Sequence, residues 1–194
     1  MSNVFLFDFG GVVGSESYFG WLKKNISNFE ARRAEFEEIA EKGDLGKVTP
    51  ESFFKLVSDA TNIPLQNVWT EIYEPVSINM EVVSLIQQLK KDNVVVLFSN
   101  YMGQLLRNIL NKRKVMDLFD YIFISSEQQV KKPDARAFSL VLEKANAQKG
   151  STFFIDDRVE NVKAGQKMGI DSLIFTNAQQ LTADLKSRHL LPSF

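Results

Sequence analysis

The chain has 194 residues, with 23 Lys and Arg against 24 Asp and Glu, and its net charge is −1. This balance gives no long-range attraction to nucleic acid or to anionic lipid, so we expect neither as a partner. No Cys is present and His189 is the single histidine, which excludes thiol nucleophiles, disulfides, Cys-rich zinc sites and histidine clusters. We therefore expect carboxylates to carry any covalent chemistry, and the absence of Cys suits a reducing, cytoplasmic location.

The first predicted element is a buried strand, Val4–Phe7, which ends at Asp8 and a glycine turn. After it, up to about residue 78, the sequence predicts helices and no strand. Their patterns cover Tyr18–Ile26, Phe29–Glu41, Pro50–Thr61 and Leu65–Tyr73. Helices inserted directly after a strand cannot join the sheet, so we expect them to form a cap over the carboxyl end of that strand, where open α/β sheets bind ligands.

From residue 79 onward, short apolar runs alternate with helical patterns. The runs are continuous rather than alternating, which is typical of strands covered on both faces of a parallel sheet. These predicted strands are Val94–Phe98, Tyr121–Ile124, Thr152–Ile155 and Ser172–Phe175. The predicted fold is therefore α/β, a doubly wound parallel five-stranded Rossmann-like sheet with a small helical cap inserted after the first strand. The expected division is a core of residues 1–14 and 79–194 and a cap of residues 15–78.

Polar residues follow four of the predicted strands directly or within a short loop. Because parallel strands end at the same edge of the sheet, these residues should converge. They are Asp8, Ser99 with Asn100, Lys132 in the run Lys131–Asp134, and Asp156 with Asp157. Clustered carboxylates repel one another and call for a cation, and a hard divalent ion such as Mg²⁺ matches oxygen ligands. With a lysine and a serine hydroxyl nearby, the arrangement predicts a cradle for a phosphoryl group.

Four segments in order resemble the motifs of the haloacid dehalogenase-like hydrolase superfamily, mostly Mg²⁺-dependent phosphatases. They are Phe7–Val13, Leu97–Asn100, Lys132–Asp134 and Phe154–Asp157. The segment Asp44–Thr49 also resembles part of a small helical cap, as in sugar-phosphate phosphatases and the N-terminal phosphatase domain of soluble epoxide hydrolases. The resemblance covers essentially the whole chain and implies a phosphatase that acts on a small phosphorylated metabolite.

The resemblance also implies catalytic and substrate-binding roles. Asp8 would attack phosphorus and form an aspartyl-phosphate. Ser99 would bind the phosphoryl oxygens, with Asn100 beside it. Lys132 would neutralise both the nucleophile and the phosphate.

For the metal, the resemblance implies direct ligation of Mg²⁺ by Asp8, Asp157 and the main-chain carbonyl of Gly10. Asp156 would act through a water molecule or support the ligands from behind. Asn161, one helical turn later, is a candidate for orienting this cluster.

One position departs from the family pattern. The first motif usually carries a second aspartate two residues after the nucleophile, which protonates the leaving alcohol, and this chain has Gly10 there. A positioned general acid is worth roughly 10²–10⁴-fold in rate. An alternative hypothesis is therefore a weak or inactive protein that keeps the fold and binds metal or phosphate. Hydrolytic dehalogenation through Asp8 is a further alternative, disfavoured because that chemistry needs no metal whereas the Asp156–Asp157 pair calls for one.

Overall fold

The computed structural model describes residues 2–191, and its centre is a sheet of five parallel strands. The strands are β1 Val4–Phe7, β2 Val94–Ser99, β3 Tyr121–Ile124, β4 Thr152–Asp156 and β5 Asp171–Ile174. They lie in the order β3-β2-β1-β4-β5, which confirms the predicted fold class. The fifth strand begins one residue before the predicted Ser172–Phe175 because its main chain pairs with β4 from Asp171 onward.

Helices connect the strands and form most of the segment between β1 and β2. Their bounds are α1 Tyr18–Asn25, α2 Arg33–Asp44, α3 Pro50–Thr61, α4 Met80–Leu89, α5 Gly103–Arg113, α6 Ser125–Gln128, α7 Ala135–Lys144, α8 Val159–Lys167 and α9 Ala178–Ser187. Short 3-10 turns cover Glu30–Arg32, Leu65–Asn67, Met116–Leu118 and Lys149–Ser151, and Trp69–Tyr73 is a π-helix. In the part of the chain that the structure describes, no helix has the length and apolar character needed to cross a membrane.

The sheet is covered on both faces because its strands carry apolar side chains in both directions. In β1, Phe5 and Phe7 belong to one buried cluster and Val4 and Leu6 to the other. The first cluster includes the apolar faces of α4, α5 and α9, and the second includes that of α7, with Ala164 of α8 packed against it. This arrangement leaves the carboxyl edge of the sheet open for a site.

Two predicted helices in residues 15–78 differ from the structure. The pattern Phe29–Glu41 divides into a 3-10 turn and α2, which continues through Gly43 to Asp44. Gly43 lies within α2, where a Cβ would be 3.0 Å from Phe53 Cδ2, and the positive φ of +64° falls at Gly46, after the helix has ended. The pattern Leu65–Tyr73 forms a 3-10 turn followed by the π-helix rather than one α-helix. Thr49 caps α3 as a side-chain acceptor for the Ser52 amide, as this Thr-Pro sequence predicts.

The chain leaves and re-enters the core at two adjacent points. The Ser15 amide donates to the Ser77 carbonyl at 2.9 Å, and the Asn79 amide donates to the Val13 carbonyl at 2.9 Å. Among the described residues of 15–78, no segment contributes a strand to the sheet. We propose to treat residues 15–78 as the cap and the remainder as the core; residue 1 and residues 192–194 of that division lie outside the described residues.

A test of the packing between α8 and β5 uses Gly165. A Cβ at this position would lie 2.4 Å from Ser172 Oγ and 3.0 Å from Phe154 Cδ1. We expect Gly165→Val to lower the free energy of unfolding by about 1–3 kcal/mol through overpacking, measured by urea denaturation. Gly150→Val is the matched control, because a Cβ there meets no atom within 4 Å. Equal losses in the two variants would contradict this account of the packing.

Candidate active site

The ammonium group of Lys132 lies at the centre of the convergent strand ends. Its Nζ donates to Asp156 Oδ2 at 2.6 Å and to the Phe98 carbonyl at 2.7 Å, and it lies 3.0 Å from Asp8 Oδ1. The side chain is fully buried. Burial alone would lower the pKa of Lys132, but the carboxylates of Asp156 and Asp8 outweigh that effect and raise the pKa. The group is therefore a fixed positive charge beside Asp8.

Asn100 holds the main chain of this lysine in place. Its Nδ2 donates to the Lys132 carbonyl at 2.8 Å, and its Oδ1 accepts from the Lys132 amide at 2.9 Å. Both ends of the Asn100 amide are engaged in this way, so the geometry makes Asn100 a positioning residue for Lys132. Ser99, at the end of β2, is buried and lines the cavity described below, where its predicted role as a phosphoryl ligand remains a prediction.

Asp156 is a fully buried carboxylate that accepts hydrogen bonds from several parts of the chain. It has no solvent exposure, and it accepts hydrogen bonds from Lys132, from the Arg158 amide at 2.9 Å and from Asn161 Nδ2 at 3.0 and 3.1 Å. Both oxygens of Asp156 are occupied in this way, and the indirect role at a metal that the resemblance implies for it stays a prediction. Asn161 contacts this cluster through Asp156.

Asp8 and Asp157 are the other two carboxylates of the cluster; Asp8 is buried and lines the cavity described below, and Asp157 is half-buried. Burial is the largest cause that raises the pKa of Asp8 to about 7; Lys132 opposes the rise and the charge of Asp156 adds to it. Burial, followed by the charges of Asp156 and Glu16, raises the pKa of Asp157 to about 6. Burial is thus the main reason that both carboxyls resist ionisation, and the charge of Asp156 adds to the rise in each pKa.

The donor set fits a hard divalent cation. Carboxylate oxygens of Asp8, Asp156 and Asp157 all lie within 4.8 Å of one another. Asp157 Oδ1 is buried and has no hydrogen-bond partner among the described residues. A buried carboxylate oxygen without a partner costs free energy unless something binds it, and all-oxygen donors suit Mg²⁺. The residues present therefore fit the predicted metal.

The two glycines of the first motif differ in what they require. Gly11 has a φ of +76°, and a Cβ there would lie 2.3 Å from Asp157 Oδ2, so the Asp157 carboxylate occupies the space of that side chain. A Cβ at Gly10 would meet no atom within 4 Å. The departure from the family motif at Gly10 is visible in the sequence. The requirement for glycine at position 11 is visible only in the structure, because it comes from the position of the Asp157 carboxylate.

A cavity of about 730 Å³ opens above these groups, between the core and the cap. Asp8, Gly10, Ser99 and Lys132 lie among its core residues. The cap contributes aromatic side chains and Asp44 to the cavity lining, and the core adds the charged side chains of Lys131 and Arg158. Tyr18 and Phe19 of α1 line the cavity, whereas Trp21 packs against the apolar core.

Arg158, Tyr101 and Asp44 are cavity residues to which the sequence analysis gave no role. Arg158 and Tyr101 directly follow motif residues, which is a signal that could have located them. Asp44 begins the segment Asp44–Thr49 that resembles part of a helical cap, but that resemblance gave it no role, because its approach to the site depends on how the cap packs.

Comparison with known proteins agrees with this geometry. The family model described as haloacid dehalogenase-like hydrolase matches residues 3–169. A sesquiterpene phosphatase of Aspergillus oryzae, AstK, is 24% identical over 188 residues, which cover 93% of each chain. A HAD-family enzyme of Bacteroides thetaiotaomicron, solved with magnesium and inorganic phosphate, is similar with a TM-score of 0.75 and 25% identity over 91% of this chain and 95% of that one. A HAD-like hydrolase of Porphyromonas gingivalis has a TM-score of 0.76 at 20% identity, with complete coverage of both chains.

The fold and the convergent carboxylates define an α/β hydrolase whose site lies at the carboxyl edge of a parallel sheet. The family model covers most of the chain, and the four segments that resemble the family motifs meet at that edge. This protein belongs to the haloacid dehalogenase-like hydrolase family, as its motifs predicted.

Replacing Lys132 should destabilise the fold as well as the site. Lys132→Met leaves Asp8 and Asp156 as buried charges without their cation, and breaking a buried pair costs about 3–5 kcal/mol. We expect a loss of that size in the free energy of unfolding at neutral pH, measured by denaturant titration. Lys131→Met is the matched control, since the Lys131 side chain is 31% exposed and its ion pair with Glu41 is long, at 4.0 Å. A Lys132→Met variant as stable as the control would contradict the structural role assigned to the ammonium group.

Proposed function

We propose that this protein is a Mg²⁺-dependent phosphatase that hydrolyses phosphate monoesters through an aspartyl-phosphate on Asp8. The observation that carries the proposal is the position of the Asp8 carboxylate, 3.0 Å from the buried Lys132 ammonium and at the floor of a cavity. The relative named as a phosphatase and the similar structure solved with magnesium and phosphate support it.

In this proposal the residues of the site have distinct roles. Asp8 Oδ forms the new bond to phosphorus. Lys132 lowers the charge repulsion between that carboxylate and the incoming phosphoryl group, and Ser99 donates to a phosphoryl oxygen. Asp8, Asp157 and the Gly10 carbonyl would hold Mg²⁺, with Asp156 behind them. The ion would supply positive charge against the phosphoryl oxygens, which is a large part of how phosphoryl transfer is catalysed.

We further propose that the alcohol portion of the substrate is largely apolar. The cap side of the cavity carries Phe19, Phe29 and Phe53, and the core side adds Tyr101 and Leu105. Such a wall gains free energy by removing hydrocarbon from water. The similarity to a sesquiterpene phosphatase points to the same chemistry. Our expectation of a small phosphorylated metabolite is thereby narrowed to a phosphate ester with a hydrocarbon tail.

The nucleophile and metal can be tested together with an aryl phosphate. Asp8→Asn keeps the size of the side chain and removes the attacking charge, so we expect loss of essentially all turnover with the fold retained. Chelation of Mg²⁺ should abolish turnover by the parent, and Mg²⁺ added back should restore it. Asp134→Asn is a matched control, because Asp134 is a half-buried helix cap paired with Arg136. Activity of Asp8→Asn within tenfold of the parent would exclude the covalent mechanism.

The proposed preference for a hydrocarbon tail can be tested with a series of straight-chain alkyl phosphates. Each buried methylene is worth about 0.8 kcal/mol, so KM should fall by up to about fourfold per added CH₂ until the cavity is filled. Phe19→Ser should weaken this dependence on chain length while leaving inhibition by inorganic phosphate unchanged. A KM that does not depend on chain length would argue for a polar substrate.

A further inference from the structure

The proposed reaction needs a proton for the leaving alcohol, and Gly10 has no side chain to supply it. The described part of the cavity contains several other carboxylates. Those of Glu16 and Glu41 lie within 4.0 Å of Arg158 and Lys131, respectively, so cations hold them. The Asp44 carboxyl, in contrast, has neither an ion pair nor a hydrogen bond with any residue that the structure describes, and it is partly buried in the same cavity.

The main chain at Asp44 is tied to the loop that carries the site. Asp44 ends α2, and its carbonyl accepts a hydrogen bond from Ser125 Oγ at 2.6 Å. The same hydroxyl accepts from the Tyr101 amide at 3.0 Å. Tyr101 directly follows Asn100, the residue that holds Lys132. The Ser125 hydroxyl therefore links the end of α2 at Asp44 to the loop after β2 that carries Asn100 and Tyr101.

The turn after Asp44 fits tightly against the core. At Gly46, φ is +64° and a Cβ would lie 2.5 Å from the Ser126 carbonyl oxygen. Only glycine permits both this conformation and this approach. The end of α2 is thus a fixed point of the cap, and the Asp44 side chain is presented at a defined place in the cavity.

The surroundings of Asp44 suit a group that gives and takes a proton near neutral pH. Burial raises its pKa to about 6, although Lys131, Arg158 and Lys132 lower it. Glu41 on α2 raises it slightly. The remaining ionisable groups near Asp44 are the phenols of Tyr73 and Tyr101. An efficient general acid has a pKa near the working pH.

We propose that Asp44 is the general acid and base of this enzyme, acting from the cap in place of a side chain at position 10. The inference rests on the proposed phosphatase function. In the first step the Asp8 oxygen bonds to phosphorus, the bond from phosphorus to the ester oxygen breaks, and that oxygen takes the proton of Asp44. In the second step the Asp44 carboxylate removes a proton from water as its oxygen bonds to phosphorus, and Asp8 leaves as a carboxylate.

The test compares Asp44→Asn with the parent on two phosphate esters. The value of kcat/KM reports steps up to departure of the alcohol. For an alkyl phosphate, whose alkoxide needs a proton, it should fall by about 10²–10⁴-fold. For p-nitrophenyl phosphate, whose phenolate leaves without one, it should change by less than tenfold. The variant should also show a burst of p-nitrophenol, because the aspartyl-phosphate now waits for a base.

Two further variants complete the experiment. Glu38→Gln removes a charge from the same helix at an exposed position paired with Lys42, and we expect it to match the parent on both esters. Gly10→Asp in the Asp44→Asn background should restore part of the alkyl phosphate activity, since a Cβ at position 10 meets no atom within 4 Å.

The outcomes separate the two proposals. Equal losses of kcat/KM on both esters in Asp44→Asn, or no loss on either, would overturn the role of Asp44 while leaving the phosphatase function in place. A parent that hydrolyses neither ester in the presence of Mg²⁺ would overturn the phosphatase function, and the role of Asp44 with it.

Discussion

The buried ammonium group of Lys132 is the interaction on which the site depends. It joins Asp8 at the end of β1, Asp156 at the end of β4 and the Phe98 carbonyl of β2. A charge so deeply buried is tolerated only when it is paired and hydrogen-bonded. The lysine therefore fixes the relative positions of three strand ends, and the same contacts place a positive charge beside the proposed nucleophile.

The negative charge that Lys132 does not compensate determines what the site can bind. Three carboxylates lie within 4.8 Å of one another, and the buried ammonium group pairs with two of them, Asp8 and Asp156. Asp156 is satisfied by Asn161 and by main-chain donors, whereas Asp157 retains a buried oxygen without a partner among the described residues. Burial and mutual repulsion raise the pKa of Asp8 and Asp157. A divalent cation bound here would relieve both the repulsion and the unsatisfied oxygen.

The helical segment above the sheet is coupled to this design by packing and by hydrogen bonds. Phe53 and Tyr73 belong to the same apolar cluster as β1, and Ser17 Oγ is hydrogen-bonded to Tyr101 Oη at 2.8 Å. Tyr101 lies on the loop after β2, and its amide donates to Ser125 Oγ. A movement of this segment would therefore displace that loop, including the neighbouring Asn100. The segment thus adds two things that the sheet edge lacks, an apolar wall and the Asp44 carboxyl.

Much of this molecule was determined by its sequence alone. Continuous apolar runs predicted the strands to within a residue, and the polar residues that follow them predicted which groups meet at the sheet edge. Parallel strands force this convergence whatever the details of packing. The absence of a side chain at Gly10 was also visible at once. These features are local, or follow from the topology of the sheet.

The tertiary structure decided the rest. It divided the pattern Leu65–Tyr73 into a 3-10 turn and a π-helix, engaged Asn100 with the main chain of Lys132, and brought Asp44 into the cavity. No sequence pattern encodes the last of these, because Asp44 reaches the site only through the packing of α2 against the core. Periodicity determines which face of a helix is buried, but the place where that face meets the sheet depends on contacts between residues far apart in the chain.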